Sequence, residues 1–257
     1  MNLRTVRATR YVTPLREGGS LPAVVEADDD GLYVLKFRGA GQGPKALVAE
    51  LVAGELARAL GLPVPEIVFV ALDAELARTE PDPEIQDLIR ASAGLNLALD
   101  YLPGSITFDP AVDRPEAGLA ARVVWFDAYV TNVDRTPRNT NLLVWHRRLW
   151  LIDHGAALYF HHSWEGYRER SRGRFPQVRE HVLLPFAEGL READEEMSAR
   201  VTPVLLGEIL GLVPGEWLTH DSPFADPEEG RAAYAEYLTG RLAAPRGFAE
   251  EAADARA

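Results

Sequence analysis

The sequence lacks cysteine and has no long apolar run, and these absences limit the classes of protein it can form. Without cysteine, the 257 residues carry no disulfides and no thiolate metal sites, and a cytoplasmic location is the default expectation. No apolar run approaches the roughly 20 residues of a membrane-spanning helix, and the first residues have no apolar segment typical of a signal peptide. We therefore expect a globular protein without a membrane segment.

Positive charge is also scarce. The net charge of -12 argues against bulk binding of nucleic acid and against docking on anionic lipid. Lysine is rarer still, because Lys36 and Lys45 are the only lysines beside 25 arginines. A GC-rich codon bias is one explanation. A lysine kept inside the apolar strand pattern at 34–37 nevertheless indicates that a compact ammonium, which suits phosphate binding, is needed there.

Apolar patterns and turn formers divide the chain into a strand-rich first part and a helical second part. The predicted strands of the first part are residues 5–13, 21–26, 32–38, 64–72 and 95–102, and its predicted helices are 44–60 and 83–92. The second part is predicted to contain a helix over 115–132, a hairpin of 141–145 with 149–153, helices from about 177 onward and a frayed tail. This order predicts an α+β, two-lobed protein-kinase-like fold, with a small β-rich lobe over 1–102 and a mostly helical lobe over 103–257.

The most informative residues form an ordered acidic motif. Asp134 follows a predicted helix, Asn139 comes five residues later, and Asp153 ends an apolar run fourteen residues after Asn139. In phosphoryl transfer from Mg-ATP, one carboxylate orients the attacking hydroxyl, while an amide and a second carboxylate hold magnesium. An ordinary surface turn and a capping aspartate are the alternatives. The order and spacing predict Asp134 as the catalytic base and Asn139 and Asp153 as Mg²⁺ ligands.

Lys36 needs an acidic partner on the next helix if it holds ATP phosphates. Glu50 and Glu55 are the candidates, and we prefer Glu50 because it lies near the middle of the helix predicted over 44–60. The alternative is a solvated lysine on an edge strand. The prediction assigns Lys36 and Glu50 to the catalytic site.

Further nucleotide contacts are predicted from position. The loop of Gly18, Gly19 and Ser20 can fold its backbone N–H groups over a triphosphate, although a plain hairpin turn explains it equally well. Ser20 is in addition a speculative autophosphorylation site. Asp100 and Leu102 lie where the two predicted lobes join, and their backbone is expected to hydrogen-bond adenine.

Two other segments have open interpretations. The arginine run is either a solvated segment or an activation-type segment that grips an acidic or phosphorylated substrate. Its members are Arg168, Arg170, Arg172, Arg174 and Arg179. The pair His161-His162 is interpreted as structural, because no further ligands have a suitable spacing for a metal site.

Taken together, these motifs resemble the HipA-like kinases, which belong to a broader set that includes the phosphatidylinositol kinases. The strand with Lys36, then Glu50 ahead of residues 61–64, is similar to their N-terminal lobe. Asp134-Arg135 with Asn139, followed by residues 152–155, is similar to their catalytic and metal-binding loops. The resemblance covers roughly residues 10–160. It implies that Lys36 contacts ATP phosphates and that Glu50 positions it.

The sequence departs from these families at two positions. Thr136 stands where their catalytic loop often has histidine, and His154 stands where many kinases have phenylalanine before glycine. We also expect no counterpart here of the additional N-terminal subdomain of the HipA-type toxin. Because of these departures, the resemblance does not extend to the substrate or to a toxin role. The expected ATP chemistry is unchanged.

The sequence therefore predicts a kinase that transfers the γ-phosphate of ATP, with Mg²⁺ as cofactor, to a hydroxyl, with Ser or Thr of a protein as the first choice. A small-molecule kinase of the aminoglycoside-phosphotransferase type is the second, with the aromatic segment 159–167 lining the pocket. A pseudokinase that binds nucleotide without transfer is the third. The acidic charge makes a lipid acceptor the least favoured, and the sequence does not indicate an oligomeric state.

Overall fold

The computed structural model describes residues 2–15, 21–41 and 43–256, and their strands and helices form an α+β fold. The strands are β1 (Thr5–Pro14), β2 (Ala23–Ala27), β3 (Leu32–Lys36), β4 (Ile67–Leu72), β5 (Gly94–Asp100), β6 (Ile106–Thr107), β7 (Leu142–Trp145) and β8 (Arg148–Leu151). The helices are α1 (Pro44–Ala59), α2 (Pro83–Ala91), α3 (Ala117–Tyr129), α4 (Tyr167–Ser171), α5 (Leu190–Arg200), α6 (Pro203–Leu210), α7 (Gly215–Thr219), α8 (Pro227–Leu242) and α9 (Gly247–Arg256). Short 3-10 segments occupy Ala74–Thr79, Tyr159–His162, Pro176–Glu180 and Leu184–Phe186.

The first five strands close into a barrel in the order β1-β2-β3-β5-β4. β1 closes it, because β1 pairs antiparallel with β2 and parallel with β4. Inward-facing side chains such as Val25, Leu35 and Val70 are fully buried and form a core of their own. Lys36 is the last residue of β3 and pairs with Leu97 of β5. The barrel therefore holds the backbone of Lys36 in a fixed register.

Helix α1 is buried along most of its length. It contacts β4 and β5 of the barrel on one side and α6 and α7 on the other. Pro44 begins the helix, and Gly61, whose φ is 82°, follows its end. Gly54 permits the close approach to the barrel, because a Cβ there would lie 2.4 Å from Cδ1 of Ile67. A helix enclosed in this way buries its polar side chains too, and Glu50 is only 1% exposed.

Helix α3 is the central element of the second part of the chain. Trp125 and Tyr129 of α3 are buried and stack on each other, and both contact the ring of Phe248 on α9. A hydrophobic core runs without interruption from α1 through α3 to α9. None of the helices formed by the described residues has the length and hydropathy of a membrane-spanning segment.

The hairpin of β7 and β8 determines where the chain that carries Asp153 leaves the sheet. Its two-residue turn, His146-Arg147, has positive φ at both residues, as a type I′ turn requires. The N–H of Leu151, at the end of β8, donates to the carbonyl of Pro63 at 2.7 Å. This bond ties the end of β8 to the segment that follows α1, so the residues after Leu151 emerge beside the helix that carries Glu50.

The predicted frayed tail at the C-terminus is wrong. Residues 247–256 form α9, and Glu251 and Ala252 are buried. The carboxylate of Glu251 accepts hydrogen bonds from Arg174 at 3.1 Å and from Arg179 at 2.9 Å. The alanine-rich sequence lacks a strong amphipathic pattern, but packing against α3 and these two arginines hold the helix in place.

Candidate active site

The barrel and the end of β8 bring three charged side chains together. The ammonium Nζ of Lys36 lies 2.6 Å from Oδ1 of Asp153 and 3.4 Å from Oε2 of Glu50. Burial alone would lower the pKa of Lys36, but the charges of Asp153 and Glu50 outweigh it and raise that pKa. Burial likewise raises the pKa of Glu50, and Lys36 and His154 outweigh burial and bring it to about 2. The three groups therefore form a charged cluster, with Lys36 protonated.

Glu50 also fixes the turn that carries Asp153. Its Oε1 accepts a hydrogen bond from the backbone N–H of His154 at 3.1 Å and lies 3.3 Å from Nδ1 of the same residue. His154 is fully buried, and its ring meets Phe126 of α3 edge-on. Asp153 itself has a φ of 54°, which is unusual for a residue other than glycine. The contacts of Glu50 and His154 explain how this backbone conformation is maintained.

The loop after α3 forms a second polar cluster around Asp134. Oδ2 of Asp134 accepts from Nδ2 of Asn139 at 2.7 Å and from Nδ2 of Asn141 at 3.3 Å. The backbone N–H of Asp134 donates to Oδ1 of Asn132 at 3.2 Å. Within the described residues, Oδ1 of Asp134 has no hydrogen-bond partner. This carboxylate is held by one oxygen and presents the other as an acceptor.

A buried ion pair between Arg135 and Asp127 joins this loop to α3. The guanidinium of Arg135 donates to Oδ2 of Asp127 on α3 at 2.6 Å, and both side chains are fully buried. Asp127 also accepts from Asn132 at 2.9 Å and lies 2.9 Å from Nε2 of His181. Burial raises the pKa of Asp127, but the charge of Arg135 and the contact with His181 outweigh it, so the pKa is lowered. Asp127 is therefore a charged carboxylate in the core.

Arg135 links the two polar clusters. Its Nη1 donates to the carbonyl of Asn141 and, at 3.3 Å, to the carbonyl of Ile152. The N–H of Ile152 donates to the carbonyl of Asn141 at 3.1 Å. Since Asp153 follows Ile152 directly, the segment with Asp134 and the segment with Asp153 are joined at this point. The acidic motif, dispersed over the sequence, is assembled at one place in the fold.

The donor set near Asp134 and Asp153 fits a hard divalent cation. Asn139 uses its Nδ2 on Asp134, which leaves the amide oxygen, and Asp153 uses only Oδ1 on Lys36. Carboxylate and amide oxygens, completed by water and phosphate oxygens, are what Mg²⁺ prefers. The described residues contain no cluster of three or more His, Asp or Glu side chains that could hold a metal.

Some predicted contacts are not tested by this geometry. Gly18, Gly19 and Ser20 lie outside the described residues. The N–H of Asp100 donates to the carbonyl of Glu66 at 2.8 Å, and the carbonyl of Leu102 accepts from the N–H of Ser105 at 3.2 Å. The role of Asp100 and Leu102 at adenine stays a prediction.

The arginine run contacts the C-terminal helices. Arg168 pairs with Glu236 of α8 at 2.7 Å, while Arg174 and Arg179 pair with Glu251 of α9. These contacts attach the segment to the protein itself. The aromatic segment 159–167 is similarly occupied, because Phe160 stacks on Tyr237 with ring centroids 3.5 Å apart. Tyr159 and His162 of the same segment line a surface cavity together with Lys45.

Sequence reasoning missed Asp127 and His181, and it quoted Arg135 only as part of the motif at 134–139, without a role of its own. One feature of the sequence could have indicated Asp127, because a carboxylate inside an apolar helix needs a partner. Asn141 contacts Asp134 directly and has a φ of 49°. Asparagine tolerates this left-handed conformation better than most residues, so the residue type was an available hint.

A lysine–acid cluster and an Asp–Asn loop, joined through Arg135, are features expected of a phosphotransferase. The model of the family described as HipA-like kinase matches residues 9–245, so the chain belongs to the HipA-like kinase family. No curated protein matches the chain.

The chain is similar to several solved kinase structures. The chain is similar to the Helicobacter pylori proinflammatory kinase CtkA, with a TM-score of 0.57, 13% identity, and 98% of both chains covered. It also resembles the Golgi casein kinase with Mn and ADP bound, with a TM-score of 0.47, 12% identity, and 96% of this chain and 75% of that chain covered. A further Golgi casein kinase structure has a TM-score of 0.46 and 12% identity, covering 95% and 74%. At this identity, the likeness to CtkA shows a shared fold.

Proposed function

We propose that this HipA-like kinase transfers the γ-phosphate of Mg-ATP to a hydroxyl group, with Ser or Thr of a protein as the acceptor. The observation that carries the proposal is the contact of Lys36 with both Asp153 and Glu50. A lysine on a barrel strand, its glutamate on the following helix and a metal-binding aspartate form the phosphate-binding part of many kinases. Family membership supports the same conclusion.

The proposal includes a two-lobed organisation. Residues 1–102 are the ATP-binding lobe, and residues 103–257 are the catalytic lobe. In support, the barrel strands end at Asp100, and the acidic loops follow α3 and β8. Lys36 from the first segment meets Asp153 from the second, so nucleotide phosphates would bind beside this contact, where the two segments meet.

Each side chain has a proposed role. Lys36 holds the ATP phosphates, and Glu50 keeps its ammonium in place. Asn139 and Asp153 are the magnesium ligands, and magnesium supplies neutralisation of charge on the β- and γ-phosphates. Asp134 orients the acceptor hydroxyl through Oδ1 and takes its proton as the oxygen attacks the γ-phosphorus. ADP then leaves with the electron pair of the broken P–O bond.

The backbone near residues 100 and 102 is proposed to contact adenine, and the loop of Gly18, Gly19 and Ser20 to cover the phosphates. Asp127 and Arg135 are proposed to position the reacting loops. Asp127 holds the guanidinium of Arg135, and Arg135 donates to the carbonyls of Asn141 and Ile152. Positioning of this kind supplies a large share of the rate in phosphoryl transfer.

Two substitutions test the assignment. Asp153→Ala is expected to abolish magnesium-dependent ATP binding, measured by thermal shift. Asp134→Asn is expected to keep that binding and lose transfer of labelled phosphate by about 100-fold or more, the usual contribution of a general base. Asp87→Asn is the matched control, because Asp87 is exposed on α2.

Three results would contradict the proposal in different ways. Transfer by Asp153→Ala at the wild-type rate would reject the metal assignment. ATP binding without transfer to any hydroxyl would indicate a pseudokinase. Transfer to metabolites with none to protein, in a metabolite screen set beside phosphoproteomics, would indicate a small-molecule kinase.

A further inference from the structure

A cavity lined by the second lysine, Lys45, adjoins the candidate active site. It is a cavity of about 310 Å³ lined by Lys45, Tyr159, His162, His220 and Asp221. A space of this size admits several waters, and therefore a phosphate or a carboxylate group. Nothing in the proposed phosphate-transfer chemistry uses these residues.

The cavity lies close to the metal-binding aspartate. Ala46, next to Lys45 on α1, packs against Gly155, since a Cβ on Gly155 would lie 3.8 Å from the Cβ of Ala46. Gly155 follows Asp153 by two residues, a chain distance of at most about 7 Å. The cavity therefore adjoins the metal-binding end of the site, on the side of the segment after Asp153.

Lys45 forms no ion pair with the described part of the protein, although Asp221 lines the same cavity. Within the described residues, Lys45 has no carboxylate within ion-pair distance, and the first turn of α1 has no acidic residue. The positive end of the helix dipole adds to the charge of Lys45. The carboxylate of Asp221 lies 3.3 Å from Nδ1 of His220 and is 84% exposed, so solvent screens its charge from Lys45.

Besides burial, the charge of Lys45 contributes to the pKa values of the two neighbouring histidines. Burial, and then the charge of Lys45, lower the pKa of His162. Burial, followed by the charges of His162 and Lys45, lowers the pKa of His161, whose ring meets that of His162 at 4.6 Å. Both shifts mean that an additional positive charge is unfavourable here, as expected where an anion is lacking.

Amino-acid usage is an independent observation. Only two of the 27 basic residues are lysines, and one contacts Asp153 while the other lines the adjoining cavity. A lysine presents a compact charge on a flexible stem, whereas the planar arginine fork matches flat bidentate partners. Because both lysines lie at this site, we expect two separate anionic groups to bind here, one at each ammonium.

We propose that the Lys45 cavity binds an anionic group of the acceptor, a carboxylate or a phosphate, next to the hydroxyl that is phosphorylated. Lys45 supplies the charge, and His162 and Tyr159 supply hydrogen bonds. The inference rests on the proposed kinase function and adds a substrate class, namely acceptors with an acidic group beside the reacting Ser or Thr. It makes Lys45 a specificity-determining residue.

Binding is tested first, without catalysis. Inorganic phosphate, and acetate in a parallel series, are titrated into the full chain while the ring signals of His162 and His220 are followed by NMR. We expect saturable shifts that weaken at least about fivefold in Lys45→Gln, the free energy of a partly exposed ion pair. Lys45→Arg should restore most of the affinity, and Arg7→Gln, which removes an exposed charge from β1, should leave it unchanged.

The nucleotide is excluded as the occupant in the same experiment. Phosphate shifts should persist when a non-hydrolysable ATP analogue and Mg²⁺ are present at saturation. Loss of those shifts would assign the cavity to the nucleotide and overturn the inference. The absence of saturable shifts, or identical shifts in Lys45→Gln, would overturn it as well and leave Lys45 as an ordinary solvated lysine.

Transfer is tested with matched Ser peptides that carry Glu, phosphoserine or Gln beside the acceptor. Lys45→Gln should raise KM for the Glu and phosphoserine peptides at nearly constant kcat, and leave the Gln peptide unaffected. The peptide whose KM rises more in Lys45→Gln shows whether the cavity prefers a carboxylate or a phosphate. If phosphate binds through Lys45 but no peptide is phosphorylated, the kinase function fails and the anion site stands. If transfer occurs and Lys45→Gln has the wild-type KM for every peptide, the anion site is refuted while the kinase function stands.

Discussion

Asp127→Asn removes the negative charge from the buried pair that supports the loop of Asp134. Both Asp127 and Arg135 are fully buried, and the substitution leaves the guanidinium without a counter-charge. Removing one partner of such a pair costs about 3–5 kcal/mol of unfolding free energy. At an m-value of about 3 kcal/mol/M, the urea midpoint would fall by roughly 1 to 1.7 M.

The assay is equilibrium unfolding in urea, with Asp87→Asn as the matched control. Asp87 pairs with Arg90 on the surface of α2, where the two side chains are 80% and 52% exposed. An exposed pair contributes about 0–1 kcal/mol, so the control midpoint should move little. A loss below about 1 kcal/mol in Asp127→Asn would refute the argument that the buried pair holds the loop.

Acidity provides a second measurement on the same variant. The pKa of Asp127 is lowered from its ordinary value of 3.8 in the folded protein. Its contribution is therefore fully present above that value and is lost as the pH falls through the lowered pKa. The wild type should lose more stability than Asp127→Asn on acidification below about pH 4. Parallel pH curves for the two proteins would contradict the charged state of Asp127.

Two further substitutions test the second part of the fold. His161 is buried with a lowered pKa, so stability should fall as the pH drops below about 6.5, and His161→Asn should flatten that loss whereas the exposed His146→Asn should not. The groups that face its ring are Tyr234, His162 and Lys45. Phe248→Ala should cost about 3–5 kcal/mol in the same unfolding assay, because its ring is 1% exposed on α9. Val204→Ala, at a residue that is 71% exposed, should stay within about 0.5 kcal/mol, and equal effects at both positions would show that α9 is not part of the core.

Local patterns were sufficient for much of the fold. Pro44 and Gly61 predicted the helix that became α1, and the turn formers between apolar runs predicted the strands that became the barrel. These features depend on neighbours within a few residues. Closure of the barrel depends on the parallel pairing of β1 with β4, which are separated by about 60 residues, and no local pattern specifies it.

The candidate site divides in the same way. Asp134, Asn139 and Asp153 were predicted because their order along the chain is characteristic of phosphoryl transfer. Asp127 and His181 were missed, because their contact joins residues 54 positions apart and is visible only in the packed core. Helix α9 was missed because its stability comes from tertiary packing and ion pairs, and its own sequence carries little helical amphipathicity.

The scarcity of lysine gives this protein an unusual response to amine-directed chemistry. Apart from the α-amino group, acylating reagents can find only two primary amines in the whole chain. Lys36 is 9% exposed and its raised pKa keeps the amine protonated, so it resists modification. Of the two lysines, Lys45 would therefore be modified first, by acetylation in a cell or by a covalent probe in the laboratory. The extent of its modification would report whether the proposed anion cavity is occupied.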